Sequence, residues 1–384
     1  RYMQLALALG RRGQGRVWPN PAVGAVVVKD GTIIGRGWTQ PGGRPHAEPE
    51  ALARAGAAAR GATLYVTLEP CSHHGKSPPC TEAIIAAGIG GVVSAIEDPN
   101  PEVGGQGHAR LRAAGIAVDV GLCAEEAAHD HAGHFLRVRE KRPFVILKLA
   151  VSSDDRIAAA GRRPVAITGE AARARVHLLR AQSDAILVGI GTALADDPLL
   201  TCRLPGMAAQ SPVPGTSRLV HSAREHPLWL VASGLAEAAA AARLGAAGAQ
   251  VIRVPATDTP PGLDLAAVLR ALSDRGITRL MVEGGARVAR SFLEAGVVDQ
   301  FHLIRSPKAL GPDGVDGLAG LTLDQATHLY GEGDFEKTME IATRCGQDAD
   351  CNPSNAAGVL GCMMGYSGIP DTFTSGIAAM ADKK

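Results

Sequence analysis

Aromatic residues are scarce in this chain: Phe, Trp and Tyr make up 3% of its 384 residues. Large rings therefore do little of the packing, and the core must come mostly from closely fitted Ala, Val and Leu. An excess of one charge is missing too. Lys plus Arg number 39 and Asp plus Glu 38, for a formal net charge of +1. That balance gives no basic footprint for nucleic acid and no acidic tail. No run reaches the roughly 18 apolar residues that a membrane-spanning helix needs. Cysteine is sparse and odd in number, seven over the whole length, which argues against a secreted disulfide framework and for a reducing, cytoplasmic setting. The chain opens Arg1-Tyr2-Met3 without a signal-peptide pattern, and lacking an initial Met it reads as a fragment or processed form.

What is present is globular material. Hydrophobic residues are 46% and charged residues 20%, enough for a sizeable core, and the length suggests two or three domains. Apolar residues at helical spacing predict a helix over 2–13, and β-rich runs predict strands over 22–29 and 32–38. Asp30-Gly31 between those runs is a hairpin signal, since both positions tolerate positive φ. Helices follow over 47–60, 81–87, 109–114 and 125–140, with strands over 63–68, 91–96 and 116–120. Arg142-Pro143 is a plausible joint. A second alternating set then predicts strands over 144–151, 185–189, 228–232, 251–254, 279–282 and 301–305, and helices over 170–182, 236–249, 263–275 and 286–295. Residues 208–224 read as a loop. Strands alternating with helices argue for two α/β domains, over 1–142 and 143–328, with 329–384 a separate segment that holds three of the seven Cys.

One group of residues carries chemistry on its own. His46-Ala47-Glu48 opens a predicted helix, Pro70-Cys71 follows a strand, and Pro79-Cys80 precedes another helix. One imidazole and two thiolates suit Zn²⁺ with the fourth tetrahedral position left for water, the pattern of a catalytic site. Glu48 lies two residues from a ligand, where a carboxylate can take a proton and return it to a leaving amine. His-x-Glu followed by Pro-Cys-x-x-Cys marks zinc nucleobase deaminases; here eight residues, not two, separate the cysteines. His129, His131 and His134 do not share one helix face and read as part of an ordinary helix leading to the joint.

The string from Pro70 to Cys80, Pro-Cys-Ser-His-His-Gly-Lys-Ser-Pro-Pro-Cys, resembles the deaminase half of the bifunctional riboflavin-biosynthesis deaminase–reductase family. So do Pro19-Asn20-Pro21-Ala22-Val23-Gly24 and Glu97-Asp98-Pro99-Asn100-Pro101. The resemblance implies a cytidine-deaminase-like three-layer fold, with His46, Cys71 and Cys80 as zinc ligands and Glu48 as proton shuttle. It also implies that Asn20, His73 and Lys76 approach the substrate, Lys76 meeting a phosphate.

In the second half, Val282-Glu283-Gly284-Gly285 opens from a strand into a helix. A bare glycine pair there lets backbone N–H groups meet a phosphate, which by itself says only that a nucleotide site is conceivable. Together with Lys148 to Ser152, Arg180 to Ala185, Gly189 to Thr192 and Ala195 to Arg203, it resembles the reductase half of the same family, a dihydrofolate-reductase-like α/β domain. The resemblance implies that Ala150, Ala166, Thr192, Asp196, Gly284 and Gly285 hold NADPH, and that Pro164, Arg180, Leu200, Arg203 and Glu283 line the substrate. The guanidinium forks of Arg180 and Arg203 suit a ribose phosphate. The family has Gly where this chain has Asp155, which predicts a strained turn. It has Ser and Trp at the places of Pro164 and Ala166.

The family also implies further strands after about residue 328, and an assembly through the reductase domain. Instead, Cys345-Gly346-Gln347-Asp348-Ala349-Asp350-Cys351 and the Gly/Ala-rich stretch after it resemble the C-terminal part of ADP-ribosylglycohydrolase-like proteins. The expectation is a chimera joined near residues 328–331. The activity implied is hydrolytic deamination of a phosphoribosylated diaminopyrimidinone, then NADPH reduction of its ribosyl group. A working deaminase with an inactive reductase scaffold is the alternative. The expected partner is a small molecule, with no nucleic acid and no membrane.

Overall fold

The computed structural model describes residues 1–331 apart from 102, 164, 199, 201, 203–222, 224–226, 235–237 and 259–260. The first domain runs α1 (Tyr2–Gly10), β1 (Gly24–Lys29), β2 (Thr32–Trp38), α2 (Ala47–Ala55), β3 (Thr63–Val66), α3 (Cys80–Ala86), β4 (Gly91–Ser94), α4 (Gln106–Ala113), β5 (Ala117–Val120), α5 (Ala124–Asp130) and α6 (Ala132–Arg139). Its sheet has the order β2-β1-β3-β4-β5, with β1 antiparallel to both neighbours and β3, β4 and β5 parallel. The β1–β2 hairpin turns on Asp30 and Gly31, at φ 49° and 74°, as that dipeptide predicts.

Alternation along the strands separates two faces. Val26 and Val28 pack with Met3, Leu7 and Ala127 from α1 and α5, while Ala25, Val27, Leu64 and Val66 pack with α2, Ile84 of α3 and Leu111 of α4. The result is three layers. Helix α2 lies almost backbone to backbone on β2. A Cβ at Gly37 would collide with Ala47 O and come 2.6 Å from Ala51 N. Absent side chains at this point thus set how deep the His46–Glu48 turn sits.

The second domain runs β6 (Phe144–Val151), β7 (Arg156–Ala158), α7 (Glu170–Ala181), β8 (Ala185–Leu187), α8 (Ile190–Asp196), β9 (Trp229–Ser233), α9 (Ala238–Ala246), β10 (Gln250–Val254), β11 (Ala256–Asp258), β12 (Pro261–Leu263), α10 (Leu265–Asp274), β13 (Arg279–Val282), α11 (Ala286–Glu294), β14 (Gln300–Arg305), β15 (Val315–Asp316) and α12 (Leu323–Gly331). Its central sheet is parallel in the order β14-β6-β13-β8. Val145, Leu147, Leu149 and Val151 of β6 face α10 and α11, while Met281 turns to Val176 and Leu179 of α7 on the other side.

Several expectations shift. The helix expected over 47–60 ends at Ala55 because Gly56 turns to φ 54°. The helix expected over 125–140 breaks at His131, at φ −94° and ψ 6°, and becomes α5 and α6. There the His131 ring turns inward, its Nε2 lying 3.1 Å from Thr67 Oγ1. Helix α12 runs through the expected join. Tyr330 is buried, stacks edge-on against Phe301 at 6.0 Å, and donates its hydroxyl to Asp299 O at 3.2 Å. Reductase packing therefore continues at least to Tyr330. Asp348 and Asp350 lie outside the described residues, as does nearly all of the loop expected over 208–224.

Candidate active sites of the two domains

His46 is the residue before α2, Cys80 is the first residue of α3, and Cys71 lies at the end of the segment leaving β3. His46 Nδ1 is 3.3 Å from Cys80 Sγ and 3.7 Å from Cys71 Sγ. A tetrahedral zinc with ordinary bond lengths needs ligand atoms about 3.5–3.8 Å apart. The three atoms all lie within 4.8 Å of one another, so this donor set fits the metal.

The electrostatics suit the same ion. The Cys71 thiol is pushed down to about 4, first by hydrogen bonding with the Cys80 thiol and then by His46 and the Cys80 backbone N–H, which donates to Cys71 Sγ at 3.3 Å. Cys80 is pushed up, by the same hydrogen bond and by burial. Binding of a divalent cation would displace any proton left on this pair, since metal ligation needs thiolates. Hydrogen bonding to Cys71 raises His46. The Glu48 carboxyl is 3% exposed, and burial together with the nearby Cys71 charge raises it to about 7. A carboxyl in that range can both accept and give up a proton near neutrality.

Asn20 reaches this cluster from the segment before β1. Its Nδ2 donates to Gly43 O at 2.8 Å and lies 3.2 Å from His46 Nε2. His73 and Lys76 are exposed on the loop between the cysteines. Arg44, which the sequence did not single out, donates its Nε to Ser77 Oγ at 2.9 Å and so pins that loop from the opposite side. Its signal was only its place two residues before His46. The Glu97–Pro101 motif acts through Glu69, whose carboxylate accepts backbone N–H groups of Asp98, Gly105, Gly107 and His108 at 2.8–3.3 Å. That clamp fixes the backbone entering Pro70-Cys71. His134 Nε2 lies 3.2 Å from Asp98 Oδ2. His131 and His134 thus have separate partners, and His131 is buried rather than on a partly exposed helix.

In the second domain four of the expected cofactor residues, Ala150, Thr192, Gly284 and Gly285, lie at or just past the C-terminal ends of parallel strands, where open α/β sheets take their ligands. Gly284 and Gly285 follow β13, Gly189 and Thr192 follow β8, and Ala150 is near the end of β6. Helix α11, nine residues long, follows its N-cap Gly285 with no side chain capping its first N–H groups. A Cβ on Gly284 would come 2.6 Å from Val288, and one on Gly285 would come 3.5 Å from Thr192 Oγ1. Bare backbone with open N–H groups fits a dinucleotide pyrophosphate. Ala166 and Asp196 are exposed, Leu200 is half-buried at φ 56°, and Pro164 and Arg203 lie outside the described residues.

Arg180 departs from expectation. Its Nε and Nη2 donate to the two Glu283 oxygens at 2.5 and 2.9 Å, with both side chains largely buried. The fork expected to face a phosphate is engaged with Glu283. Lys148, quoted in the sequence only as part of a motif, stands within their field: burial lowers its ammonium, Glu283 raises it, and Arg180 lowers it. The strained turn is present, with Asp155 at φ 59° and paired with Arg305 Nη2 at 2.9 Å. Neighbouring Asp154 accepts from Ser152 Oγ and from the N–H groups of Leu310 and Gly311, which holds it down at about 2. It ties this turn to the Pro307–Gly311 motif.

Known sequences and structures agree with both halves. The profile of the cytidine and deoxycytidylate deaminase zinc-binding region matches residues 1–96, and that of the RibD C-terminal domain matches residues 143–333. The riboflavin biosynthesis protein RibD of Aquifex aeolicus is 41% identical, over 81% of this chain and 87% of its own length. That of Escherichia coli is 41% identical, over 83% and 91%. Among solved structures, Acinetobacter baumannii RibD superposes with a TM-score of 0.73 at 34% identity, covering 84% of this chain and 90% of its own. A diaminohydroxyphosphoribosylaminopyrimidine deaminase/5-amino-6-(5-phosphoribosylamino)uracil reductase from Thermotoga maritima gives 0.66 at 37% identity, with the same coverages. The tail's resemblance to ADP-ribosylglycohydrolase-like proteins finds no support in these comparisons.

Proposed function

This chain belongs to the RibD family of bifunctional riboflavin-biosynthesis enzymes, and on that premise we propose how its own residues divide the work. The enzyme is a zinc-dependent pyrimidine deaminase joined to an NADPH-dependent reductase. It deaminates 2,5-diamino-6-(5-phosphoribosylamino)pyrimidin-4-one and then reduces the ribosyl group to ribityl. Residues 1–142 carry the first reaction. The reductase begins at residue 143, and the segment after it has no assigned role.

His46, Cys71 and Cys80 hold the zinc, which supplies the Lewis acidity that makes water nucleophilic at neutral pH. Glu48 does the proton work. Its carboxylate oxygen accepts a proton from the attacking water, and the same carboxyl then donates one to the departing amine, so that ammonia leaves neutral. The observation that carries this role is a carboxyl only 3% exposed, two residues from a ligand at the start of α2. Asn20 and the exposed His73 and Lys76 contact the substrate, with the Lys76 ammonium beside its phosphate.

In the second domain NADPH supplies the hydride. The Gly284–Gly285 backbone and Thr192 receive the cofactor, with Ala150, Ala166 and Asp196 around it. Arg180 fixes the Glu283 carboxylate toward the substrate, and Lys148 offsets its charge. Leu200, Pro164 and Arg203 complete the substrate side. Hydride transfer needs mainly alignment, so the held Arg180–Glu283 pair is a positioning device rather than a proton relay.

The ligand cysteines need a reducing compartment to remain thiols, which supports a cytoplasmic enzyme. The near-zero net charge supports a small-molecule substrate with no nucleic acid or membrane partner. Self-assembly through the reductase domain belongs to the same reading.

Mass spectrometry of products from the zinc-loaded protein, the diaminopyrimidinone phosphoriboside and NADPH tests the whole scheme. A product that has exchanged an amine for oxygen and gained two hydrogens is expected. The oxygen exchange alone overturns the reductase assignment, and an unchanged substrate overturns the deaminase assignment, the reductase then being tested on the deaminated compound.

A further inference from the structure

The loop between the two ligand cysteines leaves one space open. At Gly75 the nearest atoms to a Cβ would be Arg44 Nη2 at 3.8 Å and the His73 ring, its Nε2 and Cδ2 at 4.0 Å. Those are ordinary contact distances, and Gly75 has no left-handed φ, so the backbone there tolerates a side chain. What its absence preserves is room between a guanidinium and an imidazole. Arg44 spends its Nε on Ser77 Oγ at 2.9 Å. Its two Nη groups donate to no protein group among the described residues. His73 makes no hydrogen bond among them either, so its Nε2 is at liberty to carry the ring proton.

The surroundings favour an anion. Residues 39–46 and 71–80, which meet at this space, contain Arg44, His73, His74 and Lys76 and no Asp or Glu, in a chain whose charges otherwise balance. Glu82 of α3, whose carboxylate reaches the loop, is engaged by Arg110 Nη2 at 2.9 Å and lies 3.2 Å from His74 Nε2. Arg110 Nη1 also donates to Ser72 O at 3.2 Å. The loop is thus tied on both sides of His73–Lys76, through Ser72 and through Ser77, and the open space is pre-formed. It borders the zinc site too. Arg44 precedes the ligand His46 by two residues and His73 follows the ligand Cys71 by two, at most about 7 Å of chain in each case.

We propose that the space over Gly75 receives the phosphate of the deaminase substrate, and that Arg44 is a specificity-determining residue donating its Nη groups to that phosphate beside His73 and Lys76. A planar guanidinium offers paired N–H donors that match phosphate oxygens, which a lysine ammonium does not. The proposal rests on the reading above in which Lys76 meets the phosphate.

The test compares deamination by the zinc-loaded full chain on the phosphorylated diaminopyrimidinone riboside and on the same compound without its phosphate. The wild type should prefer the phosphorylated form in kcat/KM. No preference, or no deamination, defeats the phosphate reading and this proposal with it. Arg44→Ala should cut the preference about 10-fold or more, through KM rather than kcat, and should weaken competitive inhibition by inorganic phosphate to match. Gly75→Ala keeps every donor and fills the space, so it should have the same effect; it carries the test should Arg44→Ala fail to fold. A wild-type preference that survives either substitution overturns the proposal while Lys76 keeps its role. So does a Ser77→Ala protein that loses the preference as fully as Arg44→Ala does, since Arg44 would then act only as a tether of the loop.

Discussion

The zinc domain builds its site from side chains, and the reductase builds its own largely from backbone. His46 and Cys80 stand at the starts of α2 and α3, and Glu48 is 3% exposed behind them. Position there is set by helix starts seated on a packed sheet, with Gly37 letting α2 approach β2 closely. The reductase offers uncapped N–H groups at Gly285 and a carboxylate clasped by Arg180. The difference follows from the ligands. A metal ion demands particular donor atoms, whereas a dinucleotide phosphate accepts N–H groups from any residue small enough to let it approach. Residue identity therefore announces the first kind of site, and strand-end topology locates the second.

Where each site is built from its own domain's residues, a substitution in one should spare the other, and variants can test that. The largest effect is expected for Glu48→Gln. Ammonia release should fall on the order of 10³-fold, while zinc content and reductase turnover hold; residual deamination near wild-type would remove Glu48 from the proton path. Arg180→Ala is the counterpart. It leaves the mostly buried Glu283 with only Lys148 to offset its charge, so global stability should drop by about 3 kcal/mol in denaturant titration. Reductase activity should vanish while ammonia release survives. A loss of both activities in the folded variant would show that the division is not clean.

Gly37→Ala probes how far the zinc site depends on the α2–β2 contact. Overpacking should destabilise by about 1–3 kcal/mol and reduce deamination alone, read by melting and an ammonia assay. A change felt only in acid concerns the break between α5 and α6. Burial, the largest cause, together with nearby His134, holds His131 down from 6.5 to about 3. Between those values the unfolded chain binds a proton that the folded chain does not. Folding stability should therefore fall as pH falls through that window, by about 1.4 kcal/mol per pH unit from this group. His131→Gln should flatten that part of the slope in urea titrations at successive pH values, and an unchanged slope would assign the acid sensitivity elsewhere.

Much of this was legible in the sequence, for identifiable reasons. The Asp30-Gly31 turn and the strand Phe144–Val151 follow from local chemistry and an unbroken apolar run. His46, Glu48, Cys71 and Cys80 carry their chemistry in their side chains, so spacing sufficed to group them. Short elements were not legible. Strand β7 and strand β15 are three and two residues long and exist only because they pair. Gly133, two residues past the break at His131, lies inside α6 and packs against Thr278 rather than marking the break, which comes with an imidazole turned toward Thr67 just after β3. Tyr330 looked like the start of a foreign tail, yet its ring lies against Phe301.

The sequence by itself determined the donor set of the metal site, the acid beside it and the two alternating α/β patterns, because these depend on residue identity and local periodicity. Only the tertiary structure decided that the Arg180 fork closes on Glu283, that Lys148 stands in their field, and that the half-buried Trp18 packs against the neighbouring domain's core. Those are contacts between residues roughly a hundred or more positions apart, whose partners are chosen by how the sheets and helices pack rather than by any neighbour along the chain.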